Sequence, residues 1–334
     1  MSTKRSMSAC LLLLIMTTTT SEGKLLVLGP MPSRYLESAR TIRVYLPPSY
    51  ETDPDARYPV LYLHDGQNVF SAAGPDCCFG WGNWDLDGTA DRLIDEGRMR
   101  EIIMVAVDNS RSRYREYRGR LCSKNEPSRK SSRSSSSAAT NALDNTKFDA
   151  YANFLNKELK PRIDREFRTL PGPATTGVMG SSMGGICSLA LAWEYPKTFG
   201  LAASLSGAFQ VEKTNFLGQS LSPYRGKRKP VRVYLDSGVV DYTGDDDGRK
   251  HTDAVAAELR RIGWEDGLTL QHYTDLHPLT ESELGPTGLR HDKWPEARTS
   301  QHNEFYWRLR AWRALTFLFP AEAPAVNRFQ RSKR

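Results

Sequence analysis

Cysteine is scarce in this chain of 334 residues, with five in all. No two form a Cys-x-x-Cys pair and no histidine stands at zinc-finger spacing, which argues against a structural zinc site. His64 and Asp65 are adjacent but have no third ligand at a sensible spacing, so they do not read as a metal pair. The acidic run "DYTGDDDG" lacks the glutamate that a calcium-binding EF-hand loop needs twelfth from its first ligand. Counted from Asp241, that place holds Thr252, and the run reads as a solvated loop that starts a helix. Long apolar runs are also missing: "ACLLLLIM" (9–16) is too short to cross a bilayer. There is no internal repeat. Nor is there a basic face on folded elements, although the formal net charge is +7. The excess is local. Residues 114–140 carry seven Arg or Lys against Glu116 and Glu126, and the tail "VNRFQRSKR" adds four more with no acid. The rest of the chain is slightly acidic, which argues against nucleic-acid binding.

What is present is an ordinary globular composition, 39% hydrophobic and 25% charged, in a chain long enough to bury a large core. Lys4 and Arg5, the apolar run and then small residues give residues 1–22 the layout of a secretory signal peptide, so export is expected. A disordered leader is the alternative. Cys10 stands at the start of the run rather than after it, which argues against a lipid-anchored cysteine. In an exported protein Cys77 or Cys78 could pair with Cys122; buried free thiols are the competing expectation, for Cys187 as well. One domain is expected over 23–322, followed by a basic tail, 323–334. The Ser-rich stretch 123–146 cannot bury much and reads as a long disordered loop, with a lid over a site as its functional alternative.

Short β-rich runs alternate with amphipathic segments. "TIRVYL" (41–46), "PVLYLH" (59–64), "IIMVAVD" (102–108), "TTGVMG" (175–180), "LAASLSG" (201–207), "VRVYLD" (231–236) and "LTLQHY" (268–273) read as strands. Several are almost wholly apolar, as strands covered on both faces must be. Helical periodicity marks 148–167, 251–263 and 303–319. Strands alternating with helices predict a mostly parallel α/β sheet flanked by helices.

Gly180-Ser181-Ser182-Met183-Gly184 fits Gly-x-Ser-x-Gly, with a strand-like run before it and a helix-like run after it. That setting is a nucleophile elbow, a sharp turn that exposes a serine oxygen at the top of a sheet. Ser182 is the expected nucleophile, and Ser181 is expected to be structural. The Met183 amide, at a helix N-terminus, is an expected oxyanion donor. A serine needs a base and an orienting acid, and in this architecture the chain order is Ser, acid, His. His302 stands immediately before the last helix and is the expected base, with His291 the runner-up. For the acid, Asp241 lies beyond a strand end with Gly238 giving the turn, and Asp236 is its alternative. A second oxyanion donor is expected near Gly66 or Gln67, in the loop after "PVLYLH". Trp81, Trp84 and Trp294 are candidates for an aryl or sugar pocket, with core packing competing for each.

With these residues in view, the chain resembles the esterase family of α/β-hydrolases that includes esterase D, feruloyl and acetylxylan esterases, siderophore (enterobactin-type) esterases and the mycolyltransferases. "YLHDGQNVF", "ELKPRIDREFRTLP", "GVMGSSMGG", "YLDSGVVD" and "QHNEFYWRLRAWRALTFLF" carry the resemblance in family order, with "LHDGQN" and "GSSMGG" the most specific. It implies an α/β-hydrolase fold and a serine esterase with Ser182, His302 and Asp241 as its triad. The implied substrates are siderophore, feruloyl or acetyl-polysaccharide, or small acyl esters, with no metal or organic cofactor. Acyl transfer on the same triad, a peptidase, and a non-catalytic binding module on the same scaffold are the alternatives. The Ser-rich insert and the long stretch before His302 depart from the family pattern.

Overall fold

The runs read as strands pair into one eight-stranded sheet in the computed structural model, which describes residues 22–120, 145–209, 216–241, 243–274 and 301–321. The leader up to residue 21, Cys10, Cys122, His277, His291, Trp294, the insert up to residue 144 and the basic tail lie outside the described residues.

The strands are β1 (Lys24–Met31), β2 (Arg40–Leu46), β3 (Val60–Leu63), β4 (Ile103–Val107), β5 (Thr176–Ser181), β6 (Leu201–Leu205), β7 (Arg232–Ser237) and β8 (Leu270–Thr274). Their order across the sheet is β1-β2-β4-β3-β5-β6-β7-β8. The pairs β1–β2 and β2–β4 are antiparallel and all the others parallel. The helices used below are α1 (Leu86–Asp95), α2 (Arg113–Tyr117), α3 (Thr146–Phe154), α4 (Lys160–Glu166), α5 (Met183–Glu194), α6 (Arg249–Ile262) and α7 (Glu304–Leu318).

The two-residue alternation of the strands divides the core into two layers. Val60, Tyr62, Val105 and Val178 face a cluster that includes Phe148, Tyr151, Ile163, Ile186 and Val255 from α3 to α6. Leu61, Leu63, Met104, Met179 and Tyr234 face the other side, against Leu86 and Leu93 of α1 and Ala311, Leu315 and Leu318 of α7. Both faces of the central strands are therefore dry, which accounts for their apolar sequences.

Two features depart from the sequence reading. The periodic segment 148–167 is two helices joined by a wide π-type turn, Leu155–Leu159. Pro161 has no N–H for the carbonyl four residues back and its ring crowds that carbonyl; the wide turn just before it makes room. Strand β1 has no counterpart among the expected strands. It is a half-exposed edge strand whose Gly29-Pro30 step shifts the register against β2, so it shows neither clean alternation nor a continuous apolar run.

Candidate active site

The parallel strands all point their carboxyl ends at one edge of the sheet, and the loops leaving β3, β5 and β7 meet residues 301–303 there. Ser182 occupies the turn between β5 and α5 with φ 52° and ψ −122°, a conformation that L residues rarely adopt. Four backbone bonds hold it. Its N–H donates to Leu205 O at 3.0 Å, and its carbonyl accepts from Gly185 and Ala208 at 3.1 Å each and from Ile186 at 3.3 Å. The motif glycines have steric reasons: a Cβ on Gly180 would lie 2.8 Å from the Gly184 carbonyl carbon, and one on Gly184 would lie 3.2 Å from the His64 Cβ. Ser181 is the last residue of β5 and is 4% exposed.

His302 is fixed from both sides. Gln301 N–H donates to Val240 O at 2.8 Å and its side-chain oxygen accepts from Val239 N–H, tying the segment to the loop after β7. Asn303 caps α7, its Oδ1 accepting from Tyr306 N–H at 3.3 Å. Between these anchors the imidazole places Nε2 3.0 Å from Ser182 Oγ and Nδ1 2.5 Å from Asp247 Oδ1.

The acid in reach of His302 is therefore Asp247, and both acids expected from the sequence lie elsewhere, each held by its own partners. Asp241 Oδ1 accepts from Thr243 N–H at 2.7 Å, Thr243 Oγ1 at 2.6 Å and Asp245 N–H at 3.0 Å, so its carboxylate folds the loop back on itself. Asp236 is on the same face of β7 as Tyr234, toward α7, where it accepts from Tyr234 OH at 3.0 Å and pairs with Arg310 at 3.3 Å. Asp247 is fully buried, and its second oxygen accepts from Ser206 Oγ at 2.6 Å and Gly238 N–H at 2.5 Å. Burial by itself raises the pKa of this carboxyl, but His302, Arg310 and Ser206 together outweigh it and hold the group below the usual carboxylate range. No residue-type pattern could have singled out Asp247 among its neighbours. The available signal was its place just before Gly248 and α6, where the loop from β7 ends.

Of the expected oxyanion groups, Met183 is the first residue of α5, where a backbone N–H has no intrahelical acceptor. Gln67 lines the cavity in front of Ser182; Gly66 does not. A Cβ on Gly66 would lie 2.7 Å from the Val107 backbone, so that glycine serves the packing of the β3 loop on β4 rather than the approach of a ligand. His64, behind the same loop, is a core residue. It shares a 2.9 Å hydrogen bond with Tyr151 OH, and burial pushes its imidazole down to about 4.

The cavity holds about 680 Å³ and has Ser182 and His302 in its wall. Phe79, Trp81 and Trp307 line it, and Phe79 is 94% exposed at its mouth. Of the tryptophans considered from sequence, Trp81 is in this wall, while Trp84 is buried with its ring 5.6 Å from that of Trp307. Several polar groups of the wall pair with one another. Arg113 makes a two-pronged contact with Asp65 at 2.6 and 2.7 Å, and Asn68 Nδ2 donates to Glu304 Oε1 at 3.0 Å. Burial pushes the Glu304 carboxyl up. Cys78 also lines the cavity; Cys77, Cys78 and Cys187 are all free thiols. Among the described residues no helix is long and apolar enough to cross a membrane.

Solved structures share this architecture. A ferulic acid esterase superposes with a TM-score of 0.60 at 17% identity, covering 89% of this chain and 98% of its own. The enterobactin esterase of Shigella flexneri gives 0.57 at 15% identity, and there the match covers 89% of this chain but only 59% of the larger protein. By sequence, the uncharacterized protein YbbA of Bacillus subtilis is 23% identical over 247 residues, 71% of this chain and 85% of that protein. The family profile described as "Putative esterase" matches residues 33–262, well over half the chain. On that match, and on the architecture common to the solved structures, the chain belongs to this esterase family and has the α/β-hydrolase fold.

Proposed function

We propose that the protein is a serine carboxylic-ester hydrolase that works through Ser182, His302 and Asp247. The observation that carries this reading is the unbroken run of contacts from the Asp247 carboxylate through both imidazole nitrogens to Ser182 Oγ, at 2.5 and 3.0 Å, inside a cavity. Ser182 Oγ attacks the ester carbonyl while His302 Nε2 takes its proton. The tetrahedral oxyanion forms toward the amides of Met183 and Gln67, each such donor being worth about 10²–10³ in rate. Collapse expels the alcohol, which receives the proton from His302, and leaves an acyl group on Ser182. Water, deprotonated by the same imidazole, then attacks the acyl carbonyl; collapse releases the acid, and His302 returns the proton to Ser182 Oγ. Asp247 holds the proton on Nδ1, so that Nε2 is the basic nitrogen, and balances the imidazolium as it forms.

Phe79, Trp81 and Trp307 favour a flat, aromatic acyl group in the cavity. The names of the structural neighbours, ferulic acid and enterobactin esterases, point to the same class, so aryl esters are the first substrates to assay. Export through the leader belongs to this reading, and the N-terminal residue of the mature chain tests it.

The test is fluorophosphonate labelling with the modified peptide mapped by mass spectrometry, beside hydrolysis of p-nitrophenyl acetate and methyl ferulate. Label on Ser182 that is lost in His302→Ala, with methyl ferulate cleaved, is the expected result. No label, or label on Ser181, refutes the nucleophile. Label on Ser182 with methyl ferulate untouched refutes only the aryl preference.

A further inference from the structure

Behind the proposed acid lies a second layer of buried polar groups that the ester-cleaving steps do not use. Arg310, on α7, is 2% exposed, the largest of the fully buried side chains. One guanidinium nitrogen donates to Ser206 Oγ at 2.6 Å, and that same nitrogen lies 3.3 Å from Asp236 Oδ1. Ser206 Oγ in turn donates to Asp247 Oδ2 at 2.6 Å. Ser206 itself is fully buried and sits at φ 45° just beyond β6. Its N–H bridges the Asp236 backbone oxygen at 3.0 Å and Asp236 Oδ1 at 3.1 Å. The strained serine is thus clamped by Asp236, with its hydroxyl proton directed at Asp247.

We infer that Arg310 and Ser206 are positioning residues for the triad: they set how much negative charge Asp247 offers to His302, and thereby the pH at which His302 becomes a base. The inference rests on the Ser182–His302–Asp247 reading. A buried guanidinium is costly unless its charge is matched, and Asp236 matches it. The two acids then divide the work, Asp236 neutralising Arg310 and Asp247 facing the imidazole. Because Arg310 donates into Ser206 Oγ, it polarises the O–H that Ser206 gives to Asp247, and a chain of donors in a dry interior strengthens each of its links. A strongly solvated Asp247 oxygen lowers the basicity of His302; a less solvated one raises it.

Among the described residues, the charged and titratable groups around this pair come from several elements. On α7 they are Arg310 and Glu304; on β7, Asp236 with Tyr234; in the loop before α6, Asp246, 3.9 Å from Lys250; and beyond Glu304, Asp65 with Arg113. Of these, Arg310 connects to Asp247 through a hydrogen-bonded side chain.

The experiment is the pH profile of kcat/KM for p-nitrophenyl acetate in the full chain, in Ser206→Ala and in Arg310→Lys. Ser206→Ala removes a donor from Asp247, so the imidazolium is better balanced and the acid limb should move to higher pH by about one unit, with KM little changed. Arg310→Lys keeps the charge beside Asp236 but loses the reach to Ser206, and should move the limb the same way by less. It also covers the case in which the alanine variant fails to fold. Folded variants that lose activity equally at every pH, with the limb unmoved, would overturn the inference, since a purely structural clamp behaves that way. Fluorophosphonate labelling of the parent separates the two readings. If Ser182 does not label, the triad and this inference fall together; if it labels and the limb stays put, only this inference falls.

Discussion

Replacing Asp247 by Asn tests the reassigned acid, and the geometry sets what the amide can do. In the parent, one carboxylate oxygen faces His302 Nδ1 while the other accepts from two donors, Ser206 Oγ at 2.6 Å and Gly238 N–H at 2.5 Å. An Asn amide has one oxygen and one NH₂ group. Turning the NH₂ toward Ser206 and Gly238 would set donors against donors in a site with no exposure. The oxygen must therefore stay there, and the NH₂ faces Nδ1. That forces the neutral imidazole to carry its proton on Nε2, where it points at Ser182 and cannot accept the hydroxyl proton. A wrong tautomer of this kind costs about 10⁴-fold in turnover. The expected result is a fall in kcat/KM of about 10³–10⁴ for p-nitrophenyl acetate at neutral pH, with the fold intact by circular dichroism. Asp241→Asn is the matched control. The oxygen that accepts from Thr243 and Asp245 survives in the amide, so activity should stay within about threefold of the parent, a loss under about 1 kcal/mol. Near-normal activity in Asp247→Asn, or an equal loss in Asp241→Asn, would refute the assignment.

Two further predictions concern the frame of the site. Gly180→Ala puts a methyl group 2.8 Å from the Gly184 backbone, which cannot move without shifting the elbow; a loss of about 1–3 kcal/mol in urea unfolding is expected, together with slower labelling of Ser182. Gly29→Ala, where nothing lies within 4 Å but φ is +71°, should cost only about 1 kcal/mol and leave labelling alone; equal effects would refute the steric argument. His64 is held neutral by burial, its pKa lowered from 6.5 to about 4. Between those values the unfolded chain binds the proton and the folded one does not, so this residue's contribution is complete above about pH 6.5 and drains away toward pH 4, by up to about 3 kcal/mol. His64→Phe should flatten the pH dependence of unfolding free energy across that window, and an unchanged slope would refute it.

Much of the site was legible because its signals are local. The elbow needs small residues where its own backbone crosses itself, so Gly180 and Gly184 bracket Ser182 in the sequence as they do in space. His302 was legible from its place immediately before the last helix, and its imidazole lies 3.0 Å from Ser182 Oγ. Seven of the eight strands could be read from short β-rich runs, and the central ones are almost wholly apolar because helices cover both their faces. β1 escaped because an edge strand broken by Gly29-Pro30 has no such cover.

The acid belongs to the other kind of information. From the residues alone an acid was expected in the stretch after β7, where Asp236, Asp241, Asp245, Asp246 and Asp247 are alike as residue types. Their partners in the folded chain set them apart. Strand alternation turns Asp236 toward Arg310 of α7, hydrogen bonds to Thr243 and Asp245 occupy Asp241, and the loop's return to α6 carries Asp247 under the imidazole. Gly66 teaches the same lesson, since its missing side chain makes room for β4 rather than for a ligand. A residue's chemistry is written in its side chain, but which partner it meets depends on segments far away in the sequence: here α7, some sixty residues beyond the loop that meets it.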